Sequence, residues 1–462
     1  MSGVTITFLG ATETVTGSRF LVTTPLSKVL VDCGMFQGTK EIRKKNWEPF
    51  PVDVDTIDGV VLTHAHLDHC GYLPLLVRQG YKNSIHSTHY TKEIATIILR
   101  DSAHLQELDA KYAAEKKYSE HADPKPLYGS EDVEATLKLF KEHQFRTPVQ
   151  LTQDVKVTFF PSGHILGSSF IVLEASGKTI LFTSDLGRDN HPLLCVPDGP
   201  PSSGVDVVVT ESTYGDRVHD TSSEEFANEI NAGIKRGGKI LIPAFAVDRT
   251  EVILMALRAL IEEKKIPPLP IYVDSPMAIA ALEHYRRAIA ENSPEIRSGV
   301  SQKWSNQDPF DAGALKQLVT TEESKSLKEQ EGLGILIAAS GMSSGGRVVH
   351  HLKNLLPGSE NTIILVGFQA SGTRGRQLED GQKEVKIHGA WIPVNAHVCK
   401  VESFSVHADS DELISWLGQI SKPANTFVVH GEADSQSAMK SRIEKELGWK
   451  ATIPKSSQIF TV

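Results

Sequence analysis

The stretch Asp58–His69, DGVVLTHAHLDH, runs an apolar, β-branched segment straight into four metal-ligand side chains: His64, His66, Asp68 and His69. A strand that stops at such a cluster leaves the ligands on a loop that can curl around a cation. Imidazole and carboxylate donors suit zinc, which takes N and O ligands at ~2.0–2.2 Å. His64 and His66, two residues apart, can share one metal, and Asp68 with His69 can point at a second. The competing reading, a solvated polar loop, fits single histidines far better than a cluster this dense.

Working outward, three further residues fall where strands end. Asp32 closes KVLVDCG and can orient a ligand histidine through its second ring nitrogen. His164 follows a strand in PSGHILGSS, between glycines that let the chain turn tightly. Asp185 closes KTILFTSD and can bridge two cations. Alone, each reads as a turn or capping residue; their shared placement after strands makes them candidates for one site.

The remaining pattern is that of a layered α/β protein. Val4–Gly10, Ser18–Thr24, Lys28–Gly34, Val155–His164, Ser169–Ala175, Lys178–Asp185 and Val205–Ser212 read as strands. Thr91–Tyr118 and Glu131–His143 read as helices. Ser222 and Glu225 form a plausible capping box for a following helix. A helix from Asp248 to about Lys264 then alternates with the strands PIYVDSP, GILIAAS and NTIILVGF, which predicts a parallel, doubly wound sheet. From about Ala396 the texture changes to short strands around a helix at Asp411–Ile420.

Composition sets the outer limits. The chain has 462 residues, 40% hydrophobic and 23% charged, with a mean hydropathy of −0.18. These values exclude a disordered or collagenous chain, and no apolar run approaches a bilayer span. The sequence therefore predicts no membrane partner. The N-terminus lacks the features of a signal peptide, and Cys33, Cys70, Cys195 and Cys399 are widely spaced without a CxxC pair. A reduced, cytoplasmic protein is expected. The net charge of −9 argues against a uniformly basic nucleic-acid surface, although a local groove and bound metals are compatible with it.

The order of Asp32, HxHxDH, His164 and Asp185 resembles the metallo-β-lactamase superfamily. That resemblance implies an αββα sandwich with a centre of two Zn2+ per chain. His64, His66 and His164 would hold one zinc, Asp68 and His69 the other, and Asp185 would bridge them. Glu211 in VVTESTYG, His407 in FSVHAD and His430 in VVHGE resemble the three motifs of the β-CASP nucleases, in which a cap is inserted into the lactamase domain. SGMSSGGRVVHHL (Ser340–Leu352) and FQASGTRGRQL (Phe368–Leu378) resemble segments of that cap. The implied layout is residues 1–212 and 396–462 for the lactamase domain and 213–395 for the cap.

The function implied is hydrolysis of single-stranded RNA, endonucleolytic with 5′→3′ exonucleolytic action as a further expectation. A metal pair lowers the pKa of a water and offsets phosphate charge. His430 would complete the second zinc's ligands; a histidine there is typical of RNA-directed members, which points away from DNA. Asp68 would also aim the attacking hydroxide. His407 would protonate the leaving 3′-oxygen, with Glu211 orienting it. Ser405, Gly345, Gly346, Arg347, Arg374 and Arg376 are the candidate phosphate contacts. Residues 212–395 hold 21 Lys and Arg against 23 Asp and Glu, so the cap is not a basic module. The alternatives are a small-molecule ester or thioester hydrolase on the same ligands and a non-catalytic RNA-processing scaffold. A homodimer is compatible with the sequence.

Overall fold

A computed structural model describes residues 3–116, 124–219, 223–327 and 332–462. The chain forms two compact units, Met1–Val218 with His407–Val462, and His219–Val406.

In the first unit two seven-stranded sheets lie face to face. One runs Gln458–Thr461, Thr5–Phe8, Phe20–Thr23, Lys28–Val31, Gly59–Val61, Ile85–Thr88, Phe140–His143. The other runs Ala451–Thr452, Asn425–Val428, Val207–Thr210, Lys178–Phe182, Ser169–Ala175, Val155–Pro161, Val149–Gln150. Alternation with period two sends Ile6, Phe8, Val29 and Val31 from one sheet to meet Val157, Phe159, Ile171, Leu173, Ile180 and Phe182 from the other. Phe8 and Phe427 join the sheets at a ring separation of 4.9 Å. Each buried side chain of this size stabilises by about 1.5–3 kcal/mol. The intervening residues Phe170, Val172, Leu181, Val208 and Val428 face outward and are covered by Leu413, Trp416, Leu417 and Met439. Helices Ser410–Leu417 and Ala433–Arg442 supply that cover, while helix His89–Lys116 packs on Ile85–Thr88 and Phe140–His143. The layers are therefore α, β, β, α, as expected.

The return of the chain is tied in twice. Asn425–Val428 pairs parallel with Val207–Thr210, and Gln458–Thr461 pairs antiparallel with Thr5–Phe8. Helix Ser410–Leu417 starts at a capping box in which Asp409 accepts from the amides of Asp411 and Glu412, both at 3.0 Å.

The second unit is built on a six-stranded parallel sheet in the order Leu315–Gln317, Ile271–Val273, Ile335–Ala338, Ile240–Pro243, Thr362–Val366, His397–Val401. Its central strands are buried on both faces, which is why they read as unbroken apolar runs. Helix Arg347–Leu355 lays Val348, Val349 and Leu352 onto Leu241, Leu336 and Ile363.

Three local expectations need correction. Glu131–His143 is not one helix: Ser130–Leu137 is helical, and Phe140–His143 is an edge strand pairing with Ile85–Thr88. Leu137 and Phe140 have helical spacing, but the free sheet edge captures the last four residues. His397–Val401 does not open the returning lactamase segment; it pairs with Thr362–Val366 in the second unit. The two compact units meet along the chain at 218/219 and 406/407. The helix beginning at Thr91 starts two residues earlier, at His89. The Ser222 cap and Tyr118 lie outside the described residues.

Candidate metal centre

Strand ends deliver the ligands of the first unit to one place. After Gly59–Val61 the chain loops through His64 and His66, and His66 caps the short helix Leu67–Cys70 that carries Asp68 and His69. Asp32, immediately after Lys28–Val31, adopts a left-handed backbone with φ 57°. Gly34 permits the next step: a Cβ there would lie 1.5 Å from the Asp68 carbonyl oxygen. Gly187 does the same beside His164, where a Cβ would sit 2.0 Å from the Gly163 carbonyl oxygen.

Two ligand sets emerge. In the first, His66 Nδ1 is 3.2 Å from His64 Nε2 and 3.1 Å from His164 Nε2. Asp185 Oδ2 lies 3.4 Å from His64 Nε2 and 3.6 Å from His164 Nε2. In the second, His430 Nε2 is 3.2 Å from both His69 Nε2 and Asp68 Oδ2. Asp185 Oδ1 reaches this set, 3.4 Å from His69 Nε2. Donors bound at ~2.0–2.2 Å to one tetrahedral zinc lie about 3.3–3.6 Å apart, close to these separations. Asp185 Oδ1 is buried and accepts no hydrogen bond, an expensive state for a carboxylate oxygen unless a cation takes it. The donor set thus fits two metal ions, one per set, with Asp185 facing both.

Electrostatics agree. Burial pushes His64 down to about 3 and His66 to about 4, and it lowers His164, so these imidazoles stay neutral and offer lone pairs. For His69 burial works in the same direction, but Asp185, Asp32 and Asp68 outweigh it and raise the imidazole. Asp185 and Asp68 likewise raise His430 against its burial. Burial pushes the Asp68 and Asp185 carboxyls up, yet the histidines around them hold both below the usual carboxylate range. The buried carboxylates demand positive charge, and a divalent cation competes with protons to supply it.

Asp32 sits behind the second set. Its Oδ2 accepts from His69 Nδ1 at 2.8 Å, and its Oδ1 accepts from the Thr63 amide at 2.8 Å. This directs His69 Nε2 toward the metal position. Asp32→Ala is expected to weaken metal binding by about 10–100-fold, measured by chelator competition; unchanged affinity would remove Asp32 from this role.

His407 and Glu211 pair next to the centre. His407 Nδ1 is 3.2 Å from Glu211 Oε2, while Nε2 points inward, 3.9 Å from Asp185 Oδ2. Glu211 is buried and anchored by the Leu186 amide, which donates to its Oε1 at 2.6 Å. The sequence singled out none of the supporting hydroxyls. Thr63 Oγ1 bonds Asp32 at 2.9 Å, and Thr213 Oγ1 lies 3.1 Å from His430 Nδ1. Adjacency to a ligand was their only signal, and such residues are common in loops.

The candidate phosphate contacts all lie in the second unit, where several are already engaged. Arg347 donates to Asp274 at 2.7 Å and to the carbonyls of Leu318 and Val319 at 2.9 and 2.8 Å. Asp274 is fully buried and also takes Ser324 and His351, so freeing Arg347 would strand a buried carboxylate. Arg374 donates to the carbonyls of Lys386 and Ser343. Arg376 forms a surface pair with Asp380 at 2.9 Å, worth about 0–1 kcal/mol. Gly345 and Gly346 are exposed ahead of helix Arg347–Leu355, and Ser405 is buried.

Three family descriptions match the chain. The metallo-beta-lactamase superfamily covers residues 15–217, the Beta-Casp domain 250–378, and the Zn-dependent metallo-hydrolase RNA specificity domain 391–454. The chain is 36% identical to Ribonuclease TTHA0252 of Thermus thermophilus over 433 residues, covering 93% of this chain and 94% of that one. It is 33% identical to an RNase J-like protein of Methanocaldococcus jannaschii, covering 99% and 100% respectively. A crystal structure of a protein of unknown function from Enterococcus faecalis V583 shares the fold, with a TM-score of 0.53 at 14% identity over the full length of both chains.

Proposed function

Because this chain belongs to the β-CASP family of the metallo-β-lactamase superfamily, we propose that it is a zinc-dependent ribonuclease. Its substrate is single-stranded RNA, cut internally and also from a 5′ end, and it works in the cytoplasm. The observation that carries this reading is Asp185, whose two oxygens face two ligand sets beside the Glu211–His407 pair. The choice of RNA is supported by the RNA specificity domain match and by relatives named as ribonucleases.

A phosphodiester resists hydrolysis because it is anionic and its leaving alkoxide is poor. Bound to the two sets, a zinc pair supplies Lewis-acid charge and lowers the pKa of water. The remaining tasks fall to side chains. Asp68, partly exposed at the second set, accepts a hydrogen bond from the attacking water and fixes its direction. His407 Nε2 hands a proton to the departing 3′-oxygen while Glu211 holds Nδ1. Among the candidate phosphate contacts, Gly345 and Gly346 are exposed, whereas Arg347 is engaged by Asp274.

Matched single-stranded RNA and DNA oligomers, 5′-labelled and resolved on a sequencing gel, test the reading. The expected result is RNA-selective cleavage, with internal fragments and mononucleotides separating the two modes. Hydrolysis of a thioester or lactone panel with both polymers untouched would overturn it.

A further inference from the structure

A second group of zinc-type donors lies in the unit that lacks the nuclease ligands. His397 and Cys399 are two apart on the strand His397–Val401, so their side chains leave the same face. That strand ends the sheet, paired only with Thr362–Val366. Helix Ser223–Arg236 packs against it and brings Glu229, whose Oε2 lies 3.1 Å from His397 Nε2. One donor atom from each of Glu229, His397 and Cys399 falls within 4.8 Å of the others.

We propose that Glu229, His397 and Cys399 form a further zinc site, independent of the nuclease centre. One carboxylate oxygen, one imidazole nitrogen and one thiolate sulfur suit a borderline-soft cation; calcium and magnesium prefer all-oxygen sets. His397 is 41% exposed and Glu229 27%, which leaves the fourth position open to water. Competing contacts are weak. The Arg236 guanidinium is 4.0 Å from Glu229 and instead donates to Thr362 Oγ1 at 3.2 and 3.0 Å. Cys399 Sγ lies 3.8 Å from the Ile363 carbonyl oxygen and also bonds the Glu229 carboxylate, a partner within the same donor group. A Glu–His surface pair alone is worth about 0–1 kcal/mol. A metal there pins the helix to an edge strand, which otherwise offers unpaired backbone to other chains.

Cobalt(II) added to the metal-free full chain tests this directly. The ligand sets of the nuclease centre hold only nitrogen and oxygen donors, so a near-ultraviolet thiolate-to-cobalt charge-transfer band reports a cysteine ligand, and its loss in Cys399→Ser assigns it. The wild-type chain is expected to show the band, and Cys399→Ser to lose it. His397→Ala should lose one equivalent of bound zinc while RNA cleavage changes by no more than about twofold, the ordinary range for a surface substitution. A melting temperature equal to that of the wild-type chain, both measured metal-free, shows that each variant is folded. Cobalt bound by the wild-type chain without a thiolate band, or a band that survives Cys399→Ser, would overturn the proposal whatever the fate of the ribonuclease reading.

Discussion

Asp185→Asn is expected to abolish RNA cleavage, with a rate loss of about 10⁴-fold or more, equivalent to about 5.5 kcal/mol of transition-state stabilisation. The two oxygens of Asp185 face both ligand sets, at 3.4 Å from His64 Nε2 on one side and from His69 Nε2 on the other. The amide keeps the shape but removes a buried negative charge and turns one acceptor into a donor aimed at imidazole. Both metals should then bind more weakly, and bound zinc should fall together with activity. The substitution also relieves a buried oxygen that accepts no hydrogen bond, so the folded state should not suffer. Full zinc content with near-normal cleavage in Asp185→Asn would show that the two sets do not share this carboxylate.

His407→Ala carries the second large effect, a fall of about 10²–10³-fold in kcat on RNA. Unlike the Asp185 variant, it should leave zinc content unchanged, because His407 belongs to neither ligand set. Its role is separable by the leaving group. A nitrophenyl phosphodiester departs without protonation, so the variant should hydrolyse it at close to the wild-type rate. Equal slowing on RNA and on the nitrophenyl ester would make His407 a positioning residue instead of the acid. Glu211→Gln should fall between the two, since the amide still contacts Nδ1 but no longer faces it with a charge.

The candidate metal centre was legible because its chemistry is concentrated. Four ligands in six residues admit few explanations, and Asp32, His164 and Asp185 follow strands in the same order along the chain. The αββα sandwich was expected from the resemblance, and in the structure adjacent apolar residues such as Phe170 and Ile171 serve different cores. Edges were harder. Phe140–His143 has a helical spacing with Leu137, and only the neighbouring strand Ile85–Thr88 decides its conformation. His397–Val401 reads like the short strands that follow it, and its pairing with Thr362–Val366 is a long-range fact. Arg347 was a candidate phosphate contact, and its partner Asp274 lies 73 residues away in the chain. Each case turns on a contact between residues far apart in sequence, where local pattern carries no information.

Zinc titrated into the metal-free chain, with cleavage of a 5′-labelled single-stranded RNA followed at each step, tests the central claim most directly. Using Cys399→Ser confines tight binding to the two ligand sets that share Asp185. Activity is expected to rise until both sets are filled, at two equivalents per chain, with Asp68→Ala inactive throughout. Full activity at one equivalent, or cleavage that persists without metal, would contradict a dinuclear centre as the source of the reaction.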